Sequence, residues 1–93
     1  MSIVQLSAAL GPAECQLAVK YTLQEIHKEA KTKKIHLQTI ESNATQHGYS
    51  SVLLSVDEDA RTWLKTWLGT IQWTFQSPIR PQHKRKNWFV GIA

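Results

Sequence analysis

Four fixed positive charges lie close together near the carboxyl end of this 93-residue chain: Arg80, Lys84, Arg85 and Lys86. No Asp or Glu occurs in residues 76–93, whereas residues 1–75 balance seven cations against seven acids. The whole net charge of +4 therefore comes from the carboxyl-terminal segment. Clustered cations without neighbouring acids are suited to binding phosphate groups. The sequence predicts a polyanion-binding site here, with RNA as the favoured partner.

The segment that carries these charges, residues 76–86, is called the basic loop below. Pro78 and Pro81 fix two φ angles, so we expect the loop to be stiff and to present a cationic face. The residues predicted to contact RNA are Arg80, His83, Lys84, Arg85, Lys86 and Asn87. Trp88 offers a ring for base stacking, although its alternating strand position favours the core. The alternative is a solvated charged hairpin beside a core tryptophan.

Other reactive groups give weaker signals. Cys15, the only cysteine, lies in the first turn of a predicted helix, but it also belongs to an apolar stripe where thiols are usually inert. The four histidines lack metal-ligand spacing, and no phosphate-binding or dinucleotide motif is present. We therefore expect no catalytic residue, metal, cofactor or small-molecule substrate, and a small cysteine-dependent enzyme stays only as an alternative.

Length and composition set the class of protein. Ninety-three residues suit one domain, and an apolar fraction of 42% with four Trp indicates a packed core. No apolar run reaches the roughly 18 to 20 residues that span a bilayer, and the amino-terminal residues do not resemble a signal peptide. With a single cysteine, these features predict a cytoplasmic protein that does not bind membranes.

The first half of the chain predicts a strand, a long helix and a second strand. Residues 3–8 alternate as in a strand, and residues 35–40 form the next one before a polar loop at 41–50. The helix between them should begin with Gly11 as its N-cap and Pro12 as its first residue, and end near Lys31. Its apolar stripe consists of Cys15, Ala18, Val19, Thr22, Ile26 and Ala30.

The second half predicts three strands and one helix. Strands are expected at residues 51–56, 70–75 and 87–92, with the basic loop between the last two. The helix should begin at Asp57, Glu58 and Asp59, whose charges suit a helix start better than a metal site. Its apolar face repeats through Ala60, Trp63, Leu64, Trp67 and Leu68, and Gly69 should end it.

The resulting order, β-α-β-β-α-β-β, predicts a single domain over residues 1–93. We expect a two-layer α+β sandwich, with a mixed sheet of about five strands and two helices on one face. The first β-α-β unit should be a right-handed parallel crossover. Because the last strand runs almost to Ala93, we expect this domain to be part of something longer.

Several segments resemble the codon-recognition domain of bacterial class I peptide chain release factors. Residues 7–14, Ser-Ala-Ala-Leu-Gly-Pro-Ala-Glu, open a helix where those proteins have a glycine-rich turn and an acid. The tripeptide Ser77, Pro78 and Ile79 follows a helix and a strand, as does the Ser-Pro-Phe tripeptide that reads stop codons in one branch. Residues 80–91, Arg-Pro-Gln-His-Lys-Arg-Lys-Asn-Trp-Phe-Val-Gly, are most similar to the shorter release factor H proteins.

The resemblance implies docking in the A site of the small ribosomal subunit, for translation termination or ribosome rescue. Ser77, Pro78 and Ile79 would then approach mRNA or decoding-site rRNA, while Arg80 and Lys84 to Lys86 hold phosphates. The chain departs from the family pattern in its single Gly11 at the turn, in Ile79, and in lacking a Gly-Gly-Gln sequence. It is therefore not expected to release peptides alone. The alternative is a protein-interaction or remnant domain that binds an acidic partner.

Overall fold

One five-stranded sheet organises the computed structural model, which describes residues 1–93. Its strands lie in the spatial order β2-β3-β1-β5-β4, and every neighbouring pair is antiparallel. The strands are β1 (Ser2–Ser7), β2 (Leu37–Ala44), β3 (Tyr49–Val56), β4 (Gly69–Thr74) and β5 (Asn87–Ile92). Two helices complete the α+β fold, so the predicted class and element order are confirmed.

The strand pairing corrects one expectation. β1 and β2 run in the same direction, but β3 lies between them and pairs with both in antiparallel register. The predicted parallel crossover and mixed sheet are therefore wrong. The reason is local, because β2 extends through the predicted polar loop to Ala44 and a short turn at residues 45–48 folds β3 back onto it. A two-stranded hairpin forms more directly than a parallel pair.

The long helix α1 spans Ala13–Thr32, with Pro12 at the N-cap position that the sequence assigned to Gly11. Pro12 has the extended backbone typical of that position, with φ −67° and ψ 175°. The helix ends where Lys34 adopts a left-handed φ of 57°, while the amide of Ile35 bonds the Ala30 carbonyl at 2.8 Å. This is a Schellman-type ending. The whole predicted apolar stripe of α1 is buried.

The second helix is shorter than its apolar repeat predicts. A 3₁₀ turn at Glu58–Ala60 leads into α2, which covers only Arg61–Lys65. The hydroxyl of Thr66 donates to the Trp63 carbonyl at 2.6 Å, and the following amides bond three residues back, so the last turn tightens instead of continuing. Gly69, with φ 119°, then starts β4.

The core lies between one face of the sheet and the helices. Alternate residues of the three central strands are buried against α1, and Ala60 and Leu64 join the same cluster. In β5 the alternation is strict, with Trp88, Val90 and Ile92 buried and the residues between them exposed. The basic loop connects β4 to β5, so the bounds of those strands fix where it leaves and rejoins the sheet. Its first residues then cross the amino-terminal end of α1.

Candidate nucleic-acid interface

A buried carboxylate holds the start of the basic loop. Glu14, in the first turn of α1, has no exposed surface. Arg80 donates to both of its oxygens, from Nε to Oε2 at 2.7 Å and from Nη2 to Oε1 at 2.8 Å. Such a two-pronged contact fixes orientation as well as distance. The guanidinium lies half exposed at the edge of the loop, with 48% of the Arg80 side chain accessible.

Ser77 completes this contact from inside the loop. Its hydroxyl donates to Glu14 Oε2 at 2.8 Å and accepts the backbone amides of Ile79 at 3.2 Å and Arg80 at 2.9 Å. Ser77 is 1% exposed. A serine hydroxyl has one donor and two acceptor positions, and all three are used here. We call Glu14, Ser77 and Arg80 together the loop latch.

The latch is electrostatically strong. The hydrogen bond from Arg80 lowers the pKa of Glu14 to about 2 from its ordinary 4.5, with burial acting against it and the Ser77 bond assisting. The same contact raises the pKa of the Arg80 guanidinium. Charge-assisted bonds in a water-poor setting produce shifts of this kind. The pair is therefore ionised throughout the neutral pH range.

The end of the loop is different, because its cations have no acidic partner. Lys84, Arg85 and Lys86 are exposed and form no salt bridge. Arg85 is nevertheless ordered by its neighbours: its guanidinium lies 4.8 Å from the centre of the Trp88 ring, and its Nε donates to the Asn87 carbonyl at 2.8 Å. Three positive charges thus face solvent beside the start of β5.

The remaining predicted RNA contacts have partners within the protein. His83 is half-buried, its ring edge faces Trp88 at 5.9 Å, and its Nδ1 accepts the Arg85 amide at 3.0 Å. The side-chain oxygen of Asn87 accepts hydrogen bonds from Thr74 and Gln72 on the exposed face of the sheet. Trp88 is fully buried and its indole nitrogen donates to the Phe75 carbonyl at 2.9 Å.

The tripeptide of residues 77–79 is divided between core and surface. Ser77 is buried in the latch, Ile79 is half-buried, and Pro78 is exposed. Beyond it, residues 80–83 line an open cleft of about 440 Å³. The loop is closed at its base by a hydrogen bond from the Phe75 amide to the Lys86 carbonyl at 2.9 Å. Of the residues predicted to project freely, Lys84, Arg85 and Lys86 do so, whereas Arg80 is paired.

Sequence reasoning did not identify Glu14 as part of the site and treated it only as a favourable charge at a helix start. A signal was present, because Glu14 lies four residues before Ala18 and thus on the apolar stripe of α1. A carboxylate on a buried stripe needs a cationic or hydrogen-bonding partner. The only segment with unpaired cations is the basic loop, which the argument from local pattern did not connect to it.

Other candidate chemistry finds no support in the arrangement. Cys15 is buried within the core cluster, with 3% of its surface exposed. No three His, Cys, Asp or Glu side chains come together as a metal site. Neither helix has the length and apolar character needed to cross a membrane. The described features that distinguish this surface are therefore its charge and its latch.

No family model matches the chain. A peptide chain release factor homolog from Escherichia coli is 43% identical over 97 aligned positions, which cover 100% of this chain and 47% of that protein. The chain thus spans about half the length of the curated relative that it matches. Among solved structures, RF2 of Thermus thermophilus superposes with a TM-score of 0.87 over 98% of this chain and 26% of its own, at 17% identity. That likeness concerns the fold.

Proposed function

We propose that this chain, a release-factor-like domain, binds the ribosome at the decoding site as part of translation termination or ribosome rescue. The resemblance to release factors indicated by the sequence is confirmed, and it spans the full chain. In this proposal residues 1–93 act as one binding domain of a cytoplasmic protein. Peptide release itself needs a Gly-Gly-Gln sequence, which these residues lack.

The observation that carries the proposal is the acid-free end of the basic loop. Lys84, Arg85 and Lys86 are exposed and unpaired, while the base of the loop is fixed to α1 through the latch. A positioned set of cations gains phosphate binding without the entropy cost of ordering a free loop. Because ribosomal RNA presents closely spaced phosphates, it matches this surface in charge and in spacing.

The tripeptide supplies the contact nearest to the decoding site in this proposal. Pro78, which is exposed, faces mRNA or decoding-site rRNA, with Ile79 beside it. The cations at residues 84–86 hold phosphates of the small-subunit rRNA. Asn87 and His83 line the same surface, where they can add hydrogen bonds to sugar or base edges.

Sedimentation with 30S subunits tests this function. The loop variant Lys84→Ala/Arg85→Ala/Lys86→Ala removes three exposed charges, and the control variant Lys20→Ala/Lys28→Ala/Lys65→Ala removes three exposed charges elsewhere. We expect the loop variant to bind at least about tenfold more weakly than the native chain, and the control to bind within about twofold.

The controls separate this function from its alternatives. Equal losses in the two triple variants would mean that net charge alone drives binding and would remove the assignment of a site. An absence of native binding to 30S subunits and to short rRNA fragments at low salt would favour the other class, a domain that binds an acidic protein. Each result therefore decides between a ribosomal contact and a protein-interaction surface.

A further inference from the structure

The latch has a property that a phosphate-binding surface would not need. Arg80, the first cation of the loop, directs two of its nitrogens toward an acid instead of toward solvent. The acid is wholly buried and lies 66 positions away in the chain. A cation meant for RNA would gain nothing from such a partner, since the carboxylate cancels its charge. The pair must therefore serve the conformation of the loop.

We propose that Glu14 and Arg80 are positioning residues that lock the basic loop in its RNA-binding conformation, and that Arg80 itself is not a principal phosphate contact. This inference rests on the proposed function for its binding readout. The cations that touch phosphate are then Lys84, Arg85 and Lys86. The loop is thus divided into a latch segment and a contact segment.

Ser77 supports this division. Its one donor and two acceptor positions are filled by Glu14 and by the amides of Ile79 and Arg80, and the side chain is buried. It has no hydrogen-bonding capacity left for a nucleobase. Ser77 instead links the carboxylate to the backbone of the loop, so that the position of Glu14 is transmitted to residues 79 and 80.

The test uses a substitution for which the two roles of Arg80 predict opposite results. Glu14→Gln removes a negative charge, raises the net charge of the protein by one and releases Arg80 toward solvent. If Arg80 were a phosphate contact, binding to 30S subunits would become tighter. If the pair positions the loop, we expect binding about tenfold weaker, the loss produced when the loop occupies its binding conformation about one-tenth of the time.

Two further variants make the result specific. Glu41→Gln removes an equal charge from the exposed strand β2, and it should leave binding unchanged or slightly tighter. Arg80→Lys keeps the charge but loses the two-pronged geometry, so it should weaken binding by about the same factor as Glu14→Gln. Circular dichroism verifies folding, and if Glu14→Gln does not fold, Arg80→Lys decides.

Amide hydrogen exchange gives a readout that does not depend on the ribosome. The amides of Ile79 and Arg80, which the Ser77 hydroxyl accepts, should exchange at least about tenfold faster in Glu14→Gln than in the native chain, while amides of β5 keep their rates. Unchanged exchange, tighter 30S binding by Glu14→Gln, or full binding by Arg80→Lys would each overturn the inference. Fast exchange without any native 30S binding would uphold the latch and reject the proposed function instead.

Discussion

Two connections of the sheet rest on the first turns of α1, and they are held there by different forces. The turn at residues 45–48 approaches so closely that a Cβ on Gly48 would lie 2.7 Å from the carbonyl carbon of Gln16. The basic loop reaches the preceding turn through the ion pair between Arg80 and Glu14. One connection depends on shape and the other on charge.

The difference shows how a charged loop can be ordered without losing its charge to the protein. Shape alone fixes the 45–48 turn, which contains no Lys or Arg. In the basic loop one cation is used for attachment, and three remain unpaired. Attachment and binding are thus separated along the chain, with residues 77–80 fixed and residues 84–86 available. Four predictions follow from this contrast, from the largest expected change in stability to the smallest.

Gly48→Ala tests the attachment by shape. Because the new methyl group would meet helix backbone that cannot move alone, we expect a loss of about 3 kcal/mol in unfolding free energy, measured by urea denaturation. Gly91→Ala is the control, since its Cβ would only make an ordinary 3.9 Å contact with the Ser7 carbonyl. Equal effects of the two substitutions would argue against close packing at the turn.

Glu14→Gln tests the attachment by charge. The pKa of Glu14 is about 2 in the folded chain and near 4.5 when unpaired, so the unfolded chain takes up the proton first as pH falls. The contribution is complete above pH 4.5 and is lost towards pH 2. We expect about 2 kcal/mol lower stability than native at pH 7, a value reduced for the half-exposed Arg80.

The pH profile provides the check on that prediction. Urea denaturation of both proteins from pH 7 to pH 2 should show the stability difference shrinking as the native chain loses its ionised pair. A difference that stays constant over this range would mean that Glu14 acts through packing and not through its charge.

Ser77→Ala removes the link between the carboxylate and the loop backbone. The substitution leaves the amides of Ile79 and Arg80 without their acceptor, so we expect a loss of about 1.5 kcal/mol in unfolding free energy. Thermal denaturation measures it, with the exposed Ser42→Ala as control. A cost as small as that of the control would show that the hydroxyl is not structural.

The triple variant Lys84→Ala/Arg85→Ala/Lys86→Ala should affect stability least. These side chains lack acidic partners, and only the contact of Arg85 with the Trp88 ring is lost, so the cost should be less than about 1 kcal/mol. Thermal denaturation of this variant beside Ser77→Ala separates the two segments of the loop. A larger loss than in Ser77→Ala would contradict the division into latch and contact segments.

Much of the fold could be predicted because its signals are local. The alternation in residues 87–92 gave the bounds of β5, and the apolar stripe of α1 gave its buried face. The α2 prediction was too long, since the apolar repeat through Trp67 and Leu68 does not report that Thr66 tightens the preceding turn. Leu68 is accordingly 49% exposed.

The latch could not be predicted from periodicity, because its partners are 63 and 66 residues apart. Pairing at that separation depends on strand order, and the sequence suggested a parallel pair where β3 intervenes. The position of the cationic segment was nevertheless evident from charge alone. Composition thus indicated the contact segment of the loop, whereas only the three-dimensional arrangement identified its attachment to Glu14.

The salt dependence of binding to 30S subunits tests the central claim most directly, that three cations of a positioned loop bind phosphate. With contacts from Lys84, Arg85 and Lys86, the logarithm of the association constant should fall with log salt at a slope of about −2 to −3. Binding should then weaken about 15- to 60-fold between about 50 and about 200 mM salt. The triple alanine variant should show a slope near zero. An equal slope in both proteins would contradict the account.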